Sequence, residues 1–116
     1  MPSLSLGTTF QFAASHFLTK YHGKCENLHG HNYKLIIIIK DDIKDDDMVM
    51  DFKKIKEIVN KAVIDRLDHA HLNDIMENPS AERISVWIWE NLKDKLPLAK
   101  TILYETEDYY CEYEGE

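Results

Sequence analysis

Six histidines occur in this 116-residue chain, and they fall into two groups: His16, His22, His29 and His31, then His69 and His71. His29 and His31 are separated only by Gly30, so on a strand both imidazoles leave the same face. His16 ends an alternating run and can meet them from a neighbouring antiparallel strand. Three imidazoles without a fourth ligand fixed by spacing match a catalytic zinc with one open position, whereas a structural zinc normally closes with four ligands. A lone histidine on an apolar face is more often core than ligand. Three in compatible phase, beside a cysteine, reverse that balance. The expected metal ligands are therefore His16, His29 and His31, and the expected cofactor is Zn²⁺.

Cys25 stands four residues before His29. Spacing leaves two roles open: a fourth ligand that would make the site structural, or a thiolate beside the metal acting as base or nucleophile. Lys24 and a nearby cation would both lower its pKa. A second patch, Leu67-Asp68-His69-Ala70-His71-Leu72-Asn73, places a carboxylate next to an imidazole. Such a pair can serve as a general acid or base, and it reads equally as a polar helix end with histidine favoured by the dipole. Glu105 shares a strand phase with Leu103. On pattern alone it is a surface glutamate; its other reading is a part-buried carboxylate accepting hydrogen bonds from a ligand's N–H groups.

These residues need elements to position them. From Leu4 to His16 the even positions are Leu4, Leu6, Thr8, Phe10, Phe12, Ala14 and His16, the signature of a half-buried strand with His16 on its buried phase. A second strand, His29 to Lys40, has an odd phase of His29, His31, Tyr33, Leu35, Ile37 and Ile39; its even phase is apolar only in the middle, which suggests cover by a second layer or a partner subunit. Asp41 to Asp47 is a polar loop. Asp51 can cap a helix from Phe52 to about Leu67, with an apolar stripe of Phe52, Ile55, Ile58, Val59, Ala62, Val63 and Leu67. A second helix starts near Asn78-Pro79-Ser80, capped by Asn78 or Ser80, and carries Ile84, Trp87, Ile88 and Leu92 until Pro97 ends that region. Thr101–Thr106 and Tyr109–Tyr113 read as closing strands with a tight turn near Glu107-Asp108. Two hairpins framing two helices predict an α+β domain, an antiparallel sheet with both helices on one face.

Composition sets the outer limits. The chain is 44% apolar and 30% charged, ordinary for one globular domain. A net charge of −7, with twelve lysines and only Arg66 and Arg83, argues against nucleic acid as a partner. The longest apolar run, Leu35 to Ile39, is far too short for a membrane span. The N-terminus has no signal-peptide pattern, so the expected location is cytoplasmic and the two cysteines, Cys25 and Cys111, are expected to stay reduced.

An ordered set of motifs then becomes recognisable: Phe12-Ala13-Ala14-Ser15-His16, Cys25-x3-His29-Gly30-His31-Asn32-Tyr33, Met48-Val49-Met50-Asp51-Phe52, Leu67 to Asn73, Asn78-Pro79-Ser80, Tyr104-Glu105-Thr106 and the closing Tyr113-Glu114-Gly115-Glu116. The chain resembles the 6-pyruvoyltetrahydropterin and 6-carboxytetrahydropterin synthase family over nearly its whole length. The resemblance implies the tunnelling fold, ββααββ, in which three subunits close a twelve-stranded barrel and two trimers stack as a homohexamer with active sites between subunits. It implies 7,8-dihydroneopterin triphosphate as substrate, zinc on His16, His29 and His31 acidifying the side-chain hydroxyls, and Cys25 as the base that removes a carbon-bound proton. Asp68 and His69 of a neighbouring subunit would form the second acid/base unit, with Glu105 as the pterin anchor; His71 is left structural or accessory.

The three-residue gap after Cys25 resembles the enzymes that feed queuosine and related 7-deazapurine synthesis, and so favours the carboxy product, formed with loss of acetaldehyde, over the pyruvoyl product. A reading of another class is a non-catalytic, zinc-stabilised oligomer. Two departures stand out: Phe17 where a basic residue commonly follows the first histidine, and Asp47 where glycine commonly precedes the Met-Val pair. The first bears on triphosphate contact, for which Lys20 and Lys24 are candidate substitutes.

Overall fold

The computed structural model describes residues 2–21 and 27–116. Its frame is a long antiparallel pair, β1 (Ser3–His16) and β2 (His29–Asp42), fourteen residues each and in unbroken register from Ser3 opposite Asp42 to His16 opposite His29. The alternation read from sequence is reproduced in burial. Phe10, Phe12, Ala14 and His16 are buried on β1, and Tyr33, Leu35, Ile37 and Ile39 on β2.

Asp51 caps the first helix, its carboxylate accepting from the Lys53 N–H at 2.9 Å. This helix, α1 (Phe52–Val59), continues through a π-helical stretch, Asn60–Ile64, into a last turn, α2 (Asp65–Leu67). The wider π turn lets Val59, Val63, Ile64 and Leu67 all reach the core. Phe52 leaves the expected stripe and is 56% exposed, because at the first helical position no preceding turn lies beneath its side chain. A two-residue strand, β3 (Ala70–His71), and a 3₁₀ turn, Leu72–Asp74, lead towards α3 (Ala81–Leu92). Ser80, not Asn78, is its N-cap, accepting from the Arg83 N–H at 3.2 Å. The chain closes with β4 (Leu98–Tyr104) and β5 (Tyr110–Tyr113).

The strand order is β3-β1-β2-β4-β5, with every pairing antiparallel except β3 on β1. The fold is thus α+β, as expected, with β3 added as a fifth strand at the β1 edge. The fourth strand begins at Leu98 rather than Thr101, and Ala99 is an extra residue in its pairing with Ile38 and Ile39. Helix residues Ile55, Val59, Ile84, Ile88 and Leu92 cover one sheet face. On the other, Ile36, Ile38 and Ile102 stay half-buried. Asp47 has φ 65° in the turn that closes Asp47 N–H onto the Lys44 carbonyl at 3.0 Å. That conformation suits glycine, and aspartate is among the few other residues that adopt it readily. Among the described residues no helix is long and apolar enough to cross a membrane.

Thr101 is 1% exposed, and its hydroxyl has no hydrogen-bond partner among the described residues. Thr101→Val keeps the shape and removes an unsatisfied buried hydroxyl, so it should stabilise the fold by about 1 kcal/mol. Urea unfolding followed by circular dichroism checks this through a raised midpoint.

Candidate functional site

The ends of β1 and β2 bring His16, His29 and His31 together. Their ring centroids lie 4.7 to 5.0 Å apart, and one nitrogen from each falls within 4.8 Å of the others. His16 is fully buried, stacked edgewise on Tyr33, while His29 and His31 are half-exposed. Backbone carbonyls set the ring orientations. His16 Nδ1 lies 2.7 Å from the Pro79 carbonyl, and His29 Nδ1 lies 2.9 Å from the Asn27 carbonyl. A carbonyl oxygen only accepts, so these contacts assign the proton to Nδ1 and make Nε2 the acceptor nitrogen of each ring.

The two Nε2 atoms are 3.2 Å apart. Two acceptor nitrogens at that distance repel unless a cation or a proton sits between them. Nitrogens sharing a tetrahedral zinc at about 2.0–2.1 Å are themselves about 3.3–3.4 Å apart. The donor set and its outer carbonyl partners therefore fit a divalent metal held by neutral imidazoles.

Glu105 lies just beyond the end of β4, and its carboxylate faces this cluster: Oε1 is 3.8 Å from His31 Nε2 and Oε2 is 4.0 Å from His16 Nε2. It is part-buried, not the surface residue that pattern alone suggested. A neighbouring cavity of about 300 Å³ is lined by Glu105, Glu82, Ala81, Tyr109, Tyr110 and Cys111. Glu82, in the first turn of α3, escaped the sequence reading because an acidic residue there is ordinary helix-end chemistry.

Asp68 and His69 occupy a different edge. Asp68 Oδ1 accepts the Ala13 N–H at 3.0 Å, the His69 N–H donates to the Ala13 carbonyl at 2.6 Å, and Asp68 Oδ2 lies 3.2 Å from His69 Nδ1. His69 adopts φ 62°, a left-handed conformation that costs a non-glycine residue about 1 kcal/mol or more, and its side chain is 84% exposed. Within the chain this pair points outward instead of joining the three histidines. Asn73, and Asn78, which the sequence offered as a helix cap, pin the chain beyond β1. Asn73 both accepts from the Phe17 N–H and donates to its carbonyl, at 3.0 Å each, and Asn78 accepts from the Thr19 N–H at 2.8 Å. Cys25 lies outside the described residues.

The family model for 6-pyruvoyl tetrahydropterin synthase matches residues 5–116. The chain belongs to that family. It is 41% identical to the 6-pyruvoyl tetrahydrobiopterin synthase of Dictyostelium discoideum, with 84% of this chain and 78% of that protein covered. It is 32% identical to the 6-carboxy-5,6,7,8-tetrahydropterin synthase of Haemophilus influenzae (90% and 94% covered) and 40% identical to the dihydroneopterin monophosphate aldolase of Pyrococcus furiosus (77% and 80% covered). The solved structure of the Caenorhabditis elegans 6-pyruvoyl tetrahydropterin synthase superposes with a TM-score of 0.88 at 25% identity, covering 100% of this chain and 98% of that one. As a member of the 6-pyruvoyl tetrahydropterin synthase family, the chain has the tunnelling fold and the scaffold of a pterin-converting enzyme.

His29 is more exposed than His16 but shares its short Nε2 contact, so His29→Ala should abolish stoichiometric zinc while leaving the β1–β2 core intact. Metal analysis of dialysed protein checks this; a retained equivalent of zinc would contradict the three-ligand assignment.

Proposed function

We propose that the protein is a zinc-dependent 6-carboxy-5,6,7,8-tetrahydropterin synthase, converting 7,8-dihydroneopterin triphosphate and water to 6-carboxytetrahydropterin, acetaldehyde and triphosphate in the cytoplasm, for queuosine or related 7-deazapurine synthesis. The observation that carries an enzyme reading is the convergence of three imidazoles, two of which, His16 and His29, have Nδ1 held by a carbonyl, leaving Nε2 for a metal. The preference for the carboxy product rests on the three residues between Cys25 and His29. The Dictyostelium relative's name supports the alternative, pyruvoyl formation without carbon–carbon cleavage.

In this reading His16, His29 and His31 hold the zinc. A bound zinc supplies Lewis acidity that makes the substrate's side-chain hydroxyls more acidic. Cys25, as thiolate, takes a proton from side-chain carbon. Asp68 orients His69, which exchanges protons at the other end of the rearranging side chain, and triphosphate leaves. Glu105 accepts from the pterin's ring N–H and amino groups. Because His69 points away from its own histidine cluster, the second acid/base pair comes from a neighbouring subunit. Assembly into a homohexamer of two trimeric barrels fits the half-buried Ile36, Ile38 and Ile102, which a closed barrel would cover.

Incubation of the zinc-loaded protein with 7,8-dihydroneopterin triphosphate should release acetaldehyde in step with triphosphate. Turnover without acetaldehyde would replace the carboxy reading with the pyruvoyl one. Cys25→Ala should keep its zinc and lose turnover by a factor of about 10² or more, the scale of a lost acid/base group. Loss of zinc in that variant would make Cys25 a structural ligand and favour a non-catalytic oligomer.

A further inference from the structure

His69 holds a left-handed backbone conformation with most of its side chain in solvent, so its own packing does little to keep it there. The chain that follows is β3, whose two residues pair in parallel with β1: Ala70 with Ala14, and His71 with Ser15. Two residues make a short ladder, below the usual length of a strand. Side chains close it. Ser15 Oγ and His71 Nδ1 are 3.0 Å apart, and the Phe17 ring lies against the His71 ring at 5.8 Å between centroids. Two residues on, Asn73 grips the Phe17 backbone through both its groups. Ser15 lies on the opposite strand phase to His16, so its hydroxyl meets His71 without entering the histidine cluster.

We propose that Ser15 and His71 are a positioning pair for His69: their hydrogen bond keeps β3 on β1 and thereby holds His69 left-handed, with its imidazole presented outward. The proposal rests on the reading of Asp68 and His69 as the acid/base pair, and it assigns Ser15 and His71 no chemical step of their own. If β3 lifts from β1, the His69 N–H loses its alignment with the Ala13 carbonyl and the turn relaxes to a right-handed or extended conformation. The imidazole then leaves the direction in which a neighbouring subunit would meet it. Glycine at position 69 would reach the same backbone without strain but has no imidazole, so histidine there needs outside support.

The test compares the zinc-loaded protein with Ser15→Ala, His71→Phe and His71→Asn, the last because an asparagine side chain can place a polar atom near the Nδ1 position. Ser15→Ala removes a single oxygen and guards against a fold defect in the larger replacement. Hydrogen exchange of the His69 amide should quicken by about three- to tenfold in Ser15→Ala and His71→Phe, the scale of one net hydrogen bond. In the same variants kcat should fall by a similar factor while KM and zinc content hold, and His71→Asn should recover most of both effects. Unchanged His69 exchange in Ser15→Ala and His71→Phe would overturn the proposal, as would a His71→Asn protein as impaired as His71→Phe. Wild-type protein without turnover on the pterin triphosphate would sink the functional reading instead; the exchange measurement still decides the positioning role.

Discussion

The register between β1 and β2 is the constraint on which the rest depends. Side chains on a strand alternate faces, so a slip of one residue would turn Phe10, Phe12, Tyr33, Leu35 and Ile37 away from the helices and carry the histidines with them. The same alternation that builds the core therefore aims the three histidines. His16 sits opposite His29 at the last position of the ladder, and His31 follows one pleat further in. Misplacing the histidines would require giving up the burial of those large apolar side chains, several of which are fully covered. At about 1.5–3 kcal/mol for each buried large side chain, the core holds the three histidines in place.

The end of β1 serves two purposes on different sides. Its buried phase supplies His16, a fully enclosed imidazole that the Pro79 carbonyl supports 63 residues away in sequence. Its free edge receives the segment after the first helix, where Ala13 uses both its N–H and its carbonyl to hold the Asp68–His69 turn. Two residues of one strand, Ala13 and His16, thus tie the three-histidine cluster to the outward-facing Asp68–His69 pair.

What could be read from sequence was whatever follows a period. Strand alternation placed all three histidines on the correct phase, and the helical stripe found most of the core. Residues whose role is set by distant backbone escaped that reading. Nothing in the composition of Asn78-Pro79-Ser80 reveals that Pro79 orients His16. The choice of cap was undecidable because the Asn78 side chain is occupied by the Thr19 N–H, which leaves Ser80 to cap α3. β3 has two residues and therefore no period to detect, and the left-handed backbone of His69 follows from contacts with β1 that lie more than fifty positions away. Glu105 looked like surface because its partners are the ends of other strands. The motif resemblance, not periodicity, chose among the roles that residue type and spacing leave open for Cys25, Asp68, His69 and Glu105.

The π-helical stretch at Asn60–Ile64 acts as a spacer of fixed length. Each residue of an α-helix advances the chain by about 100° around the axis, so a change in length beyond the one extra residue that a π turn absorbs would rewind the remainder and swing Leu67 off the core. Asp68 follows directly, and its carboxylate would then miss the Ala13 amide that it now meets. A change in chain length of that size at 60–64 would therefore be felt first as a rotation of the Asp68–His69 pair. Helices on the outside of such a sheet can vary freely in surface composition, but this one has little freedom in its residue count.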